Sequence, residues 1–273
     1  MTVRASSGFT IIETVLFLGI TGLMVLGMMV GVGASVNVQR YRDASESFKS
    51  LIQAQYADVN NVQNGRTANW VCNSAAAAIP DAGTVAPGQS DCMIVGKYVR
   101  IEQGKVSSYT VLARERPGVT PSDSTDITAL KEKYVLNIAR TEVVTSQMEW
   151  GTEIARPIPD TGSSTARTPY SVALLFVRSP ESGQIYTFNS DTVPTDKDIE
   201  SLSTTAAPSF IADMLVGGLT TPGRAERVLC VESSGLFSPG QNALYIAPYA
   251  TDTNSVELVS NDTLKQKGLK VSC

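Results

Sequence analysis

Three groups of side chains in this sequence have types and spacing suited to chemistry: four cysteines, a cluster of acids near residue 195, and a lone glutamate inside an apolar run. Cys72, Cys92, Cys230 and Cys273 include no C-x-x-C pair, so they do not resemble a zinc ribbon or a thioredoxin-like site. The chain contains no histidine, which removes the commonest general base and the commonest metal ligand together. A zinc site would need all four scattered thiolates. Disulfides are the simpler reading, and four cysteines allow three connectivities. Cys72–Cys92 with Cys230–Cys273 is favoured because each bond closes a segment local to one part of the chain. Each would stabilise by roughly 3–4 kcal/mol through the unfolded state. Disulfides require an oxidising compartment and therefore export, whereas four buried thiols would suit a reducing cytoplasm. Asp191, Asp196, Asp198 and Glu200 could offer oxygen ligands to Ca²⁺, but they lack the EF-hand spacing and its glycine. They read as a solvated acidic loop. No Walker A sequence, G-x-S-x-G elbow or H-E-x-x-H motif occurs, so neither an enzyme nor a cofactor is expected. Trp70 and Trp150 read as core or helix–sheet packing rather than ligand platforms.

The elements that must position these residues follow from hydropathy. The 273 residues are 42% hydrophobic and 18% charged, which suits a folded chain with a real core. A net charge of −4 without long runs of Lys or Arg does not encourage nucleic-acid binding through a general basic surface. Between Phe9 and Gln39 the only charged residue is Glu13. Residues 14–36 are long enough for one membrane crossing, and too long for the apolar core of a cleaved secretory signal. Arg4 before the span and Arg40 and Arg42 after it do not decide its orientation. Beyond residue 36 the pattern becomes amphipathic. Tyr41, Ala44, Phe48, Leu51, Ile52, Val59 and Val62 recur at steps of three and four, with Arg42, Asp43, Glu46, Lys49 and Asp58 mostly opposite. With no proline before Pro80 and the first terminator at Asn64-Gly65, one helix of about 55 residues is expected over 9–64, roughly 80 Å long. Residues 9–36 form its membrane or filament-core half and residues 37–64 its amphipathic half.

Glu13 is the anomaly in this plan. A carboxylate in a membrane helix costs a few kcal/mol, and no basic residue stands at helical spacing from it. Either it reaches water at the interface, or its partner is another chain or an amine created by cleavage. Gly8-Phe9-Thr10-Ile11-Ile12-Glu13 resembles the processing site of type IV prepilins and pseudopilins. The resemblance covers roughly residues 4–35. It implies a leader, residues 1–8, cut after Gly8 by a membrane prepilin peptidase, with Phe9 becoming an N-methylated terminus. Glu13 would then pair with the Phe9 amine of a neighbouring subunit, a register role known for buried ion pairs. Two features depart from the family. Ser6-Ser7 precede Gly8 where a basic residue is frequent, and residues 27–33 contain no proline. Gly27 and Gly31 stand at a small-xxx-small spacing that permits close helix approach, and they read equally as ordinary membrane-helix glycines.

After Gly65 strands alternate with polar loops. Segments 93–101 and 106–113 flank Glu102-Gln103-Gly104-Lys105 as a hairpin, and further strands are expected at 134–139, 143–148, 172–177, 184–188, 228–231 and 243–247. Loops are expected at 117–128, 157–169 and 190–208, and a short helix at 210–215. The fold class is therefore α+β: a long N-terminal helix packed on an antiparallel β-sheet head over residues 65–273. The pilin resemblance implies the same layout, with Cys230 and Cys273 bracketing the variable part of the head. Three functions are compatible with it. The first is a major or minor pilin that polymerises after leader cleavage and supports adhesion, twitching motility or DNA uptake. The second is a pseudopilin of a type II secretion or competence system. The third is a non-polymerising single-pass protein that presents an extracytoplasmic binding domain. The pilin readings imply other pilin subunits, the peptidase, an assembly platform and the membrane as partners. They place the precursor in the cytoplasmic membrane and the product in an extracellular pilus or periplasmic pseudopilus.

Overall fold

A single helix, α1 (Ile11–Asn60), opens the computed structural model, which describes residues 10–62, 70–80, 90–159, 170–215, 225–233 and 242–273. No proline interrupts it, and it runs without a break for about 75 Å. Asn61 ends it, slightly earlier than the sequence suggests, and this leaves Val62 exposed instead of on the buried face. The strands follow in chain order: β1 (Trp70–Cys72), β2 (Ala78–Pro80), β3 (Cys92–Glu102), β4 (Lys105–Glu115), β5 (Tyr134–Gln147), β6 (Thr152–Ala155), β7 (Ile158–Pro159), β8 (Ser171–Arg178), β9 (Ile185–Ser190), β10 (Arg227–Ser233), β11 (Asn242–Ile246), β12 (Val256–Ser260) and β13 (Val271–Ser272). Between them lie α2 (Asp126–Thr128), which continues into a π turn (Ala129–Lys133), then α3 (Asp196–Glu200), α4 (Ser209–Leu215) and α5 (Asn261–Gln266).

The α+β class holds, but the head carries two main antiparallel sheets rather than one. A five-stranded sheet runs β5-β4-β3-β8-β9, and a four-stranded sheet runs β12-β11-β10-β6. The strands expected at 134–139 and 143–148 are one strand, β5, whose register slips opposite Tyr109 and leaves residues 140–143 unpaired as a bulge. The β3–β4 hairpin forms as expected, with Gln103 in the left-handed region at φ 53°. Its tip docks on its neighbours. The Gln103 N–H donates to Tyr170 O, and Gln103 O and Gly104 O accept from the N–H groups of Ile154 and Met148. A Cβ at Gly104 would lie 2.8 Å from Thr152 O, so the approach requires glycine. The tip thereby ties the two sheets together.

The amphipathic half of α1 lies across both sheets. Tyr41 Oη donates to Val231 O and accepts from the N–H of Asn242, both at 2.8 Å, while Gln53 Nε2 donates to Thr253 O and Val256 O. Toward the other sheet, Gln55 Oε1 accepts from Ser108 Oγ, and Tyr56 shares a 2.9 Å hydrogen bond with Thr187 Oγ1. Phe48, Ile52, Tyr56 and Val59 join residues of both sheets in one core cluster. The opposite face of the five-stranded sheet is also buried, under Leu130, Ile199 and the apolar face of α4. This double burial explains why β8 reads as an unbroken apolar run, Val-Ala-Leu-Leu-Phe-Val, instead of an alternation.

Candidate functional site

From Ile11 to Val32 the apolar side chains of α1 stand open: Ile11 is 85% exposed, Phe17 67% and Met29 70%. The head begins to cover the helix only from Ala34. By length and composition this segment is able to cross a membrane. An apolar surface of this extent, clear of the described residues of the head, is of the kind that marks contact with a membrane or with other protein. A Cβ at Gly27 or Gly31 would meet nothing within 4 Å, so neither glycine packs on anything else among the described residues. Their bare backbone remains available to a second helix.

At the entrance to this segment Thr10 and Glu13 form a capping box. The Glu13 N–H donates to Thr10 Oγ1 at 3.4 Å, while the Thr10 N–H and hydroxyl both donate to Glu13 Oε2 at 3.1 Å. The pattern Thr-x-x-Glu is the sequence signature of this cap, and reading Glu13 by its charge alone misses it. The cap explains how a carboxylate is tolerated there: it satisfies end groups of the helix that hydrocarbon would leave without partners, and its charge sits at the positive end of the helix dipole. Among the described residues Oε1 has no hydrogen bond, so the cap does not use up the carboxylate. No family model matches the chain, and neither a curated protein nor a solved structure does. Gly8 and Phe9, the expected cleavage pair, lie outside the described residues.

Both disulfides connect as expected, Cys72–Cys92 and Cys230–Cys273, and no cysteine is free. Cys230 lies on β10, inside its sheet, and Cys273 is buried and held by Asn261, whose side chain exchanges hydrogen bonds with its N–H and carbonyl.

The four acids are drawn to separate tasks. Asp196 pairs with Lys105 at 3.3 Å and with Arg100, whose guanidinium is buried and also meets Glu102. Asp198 Oδ2 accepts from the N–H and hydroxyl of Thr195 in a second capping box, so the stretch read as a loop contains α3. Asp191 accepts from Tyr170 Oη and pairs with Arg227, and Glu200 offers its backbone carbonyl to Arg140. Among the described residues no group of three or more acids or thiols is arranged to hold a metal ion.

The hydrogen bond from Arg100 holds the Asp196 carboxyl below its ordinary value of 3.8, against the opposing effect of desolvation and with Lys105 adding to the lowering. A depressed carboxylate contributes stability above the unfolded value and loses it as pH falls through the lower folded value. The stability gap between wild type and Asp196→Asn should therefore be full at pH 5–7 and shrink below about pH 3.8. Urea midpoints at pH 6 and pH 3 measure it, and a gap independent of pH would disprove the assignment.

Of the two places expected for Trp150, core or helix–sheet packing, the core is excluded, and the ring lies against Arg40 of α1. The residue is 56% exposed, in the short turn between β5 and β6. Met148 and Thr152 on either side are buried, which leaves the middle of the turn pointing outward. Its backbone is left-handed at φ 56°, ψ 27°, a conformation that costs a bulky residue about 1–3 kcal/mol.

Proposed function

We propose that the chain is a subunit of a type IV pilus or a related filament, and that it polymerises through α1 once a leader ending at Gly8 has been removed. The observation that carries this reading is the uncovered apolar half of α1, which begins at a glutamate whose second oxygen has no hydrogen bond among the described residues. In a bundle of such helices the apolar faces bury one another, the bare Gly27 and Gly31 allow close approach, and Glu13 Oε1 receives the Phe9 ammonium of a neighbour. The two disulfides fit a head that works outside the reducing cytoplasm.

The capping box sharpens the test, because glutamine also caps but carries no charge. Glu13→Gln should insert and fold as wild type does, yet assemble poorly. Breaking a buried ion pair from one side costs about 3–5 kcal/mol, or more than a hundredfold in an assembly equilibrium. Glu13→Ala should be at least as defective. The readout is filament protein sheared from cells, compared with subunit retained in the membrane. Normal filaments from Glu13→Gln would mean that Glu13 is a helix cap and nothing more. Mass spectrometry of the N-terminal peptide tests the processing step independently, with a start at methylated Phe9 expected.

A further inference from the structure

The Trp150 turn is built outward at a definite height on α1. Its flanks are fixed: Ser47 Oγ donates to Glu149 Oε1 at 3.0 Å, Thr152 Oγ1 donates to Glu149 O at 2.9 Å, and Met148 is part of the main core. Trp150 and Gly151 are both left-handed, at φ 56° and 66°, and together they turn the indole away from the core. The Arg40 guanidinium lies over the ring, 4.6 Å from its centroid. An indole is a large apolar surface, and a strained backbone that keeps it out of the core marks a position held for something beyond this chain's own packing.

Geometry along the helix identifies what that is. Residues 14–36 make a rod of about 34 Å, enough to cross a hydrocarbon core of about 30 Å. Arg40 stands four residues further on, about 6 Å along the axis. Each headgroup layer outside the core is roughly 5–8 Å thick. The turn is also tied to Ser47, about 16 Å along the axis, so the Arg40–Trp150 pair is its membrane-facing end and falls at headgroup level when residues 14–36 span. Its chemistry fits that layer, since an indole has an apolar body with a polar N–H, and a guanidinium forms forked hydrogen bonds to phosphate. We propose that Trp150, with Arg40, anchors the membrane-facing edge of the head in the phospholipid headgroup layer before the subunit leaves the bilayer. This rests on the reading of α1 as a membrane span.

The chain has two tryptophans, so Trp70→Phe leaves Trp150 as the sole indole. The full chain is reconstituted in phosphatidylcholine vesicles carrying lipids brominated either near the headgroup or deep in the acyl chains. Trp150 emission should be quenched at least twofold more by shallow than by deep bromines, and Arg40→Ala should weaken that quenching. Should Trp70→Phe fail to fold, the same signal is taken as wild type minus Trp150→Phe, which leaves Trp70 in place. A separate chain with Leu23→Trp and both native tryptophans changed to Phe reports the span itself. Quenching of Leu23→Trp by deep bromines with no quenching of Trp150 overturns the anchor alone. Absence of quenching at both positions overturns the anchor together with the span.

Discussion

Tyr56→Ala is expected to remove about 3–5 kcal/mol of head stability, the usual loss when a large buried aromatic is truncated. Tyr56 is fully buried, and its ring meets Phe176 edge-on at 4.8 Å, where α1 lies on the five-stranded sheet. Burial of its hydroxyl raises its pKa to about 12, so the group stays neutral at any physiological pH and the Thr187 bond persists. Few of its neighbours can close on the void, since Phe176 and Ile52 are themselves immobilised in the same cluster. Thermal unfolding of the full chain in detergent should register a fall of roughly 6–20 °C for a head of this size. Tyr56→Phe keeps the ring and gives up one hydrogen bond, at a cost of about 1 kcal/mol. Equal losses from the two variants would mean that the hydroxyl, and not the packing, holds the helix to the sheet.

Replacing Cys230 and Cys273 together by serine should cost about 4 kcal/mol, against roughly 3 kcal/mol for the Cys72–Cys92 pair. The order follows from sequence separations of 43 and 20, because the longer loop restricts the unfolded chain more. The larger bond also carries more structure. Without it, β13 and α5 rest on the short β7 pairing, the Asn261 contacts, the packing of Leu264, Leu269 and Val271, and the ties of Lys267 to Glu257 and Tyr245. Melting the two double variants beside wild type, with and without reductant, checks both size and order. A Cys230/Cys273 variant as stable as wild type would show that the packing around β10 holds the final segment unaided.

The helix and the first hairpin were legible in the sequence because both rest on local rules. The uncharged run, the three-and-four spacing after Tyr41 and the absence of proline are enough for α1. Period-two alternation around Gln103-Gly104 is enough for β3 and β4. Division of the head into two sheets was not legible. It depends on β6 pairing with β10 across seventy-odd intervening residues, and β6 has only four residues with no alternation to announce it. The bend in β5 looked like a strand break for a related reason, since a bulge interrupts periodicity without ending the strand. At the candidate site, the exposed half of α1 could be read directly. The Thr10–Glu13 cap was equally readable, but the exposure of Trp150 at the edge of α1 was not, because it depends on the conformation of its turn. The ties of Asp191 and Asp196 to Arg227 and Arg100 could not be read, because the partners are brought together only by the folded sheets.

The unbroken course of α1 gives the molecule a rotational phase. Glu13 and Tyr41 sit on one rigid shaft, so the direction in which the head faces is fixed relative to the residue at the shaft's foot. Each residue added to or removed from the exposed half would turn the head by about 100° and shift it by 1.5 Å. Four residues would bring it nearly back into step, about 40° off and 6 Å higher. Length in this segment therefore acts as an angle setting as much as a reach, and in the filament proposed above the residue count between Glu13 and Tyr41 would set which faces the heads present to one another.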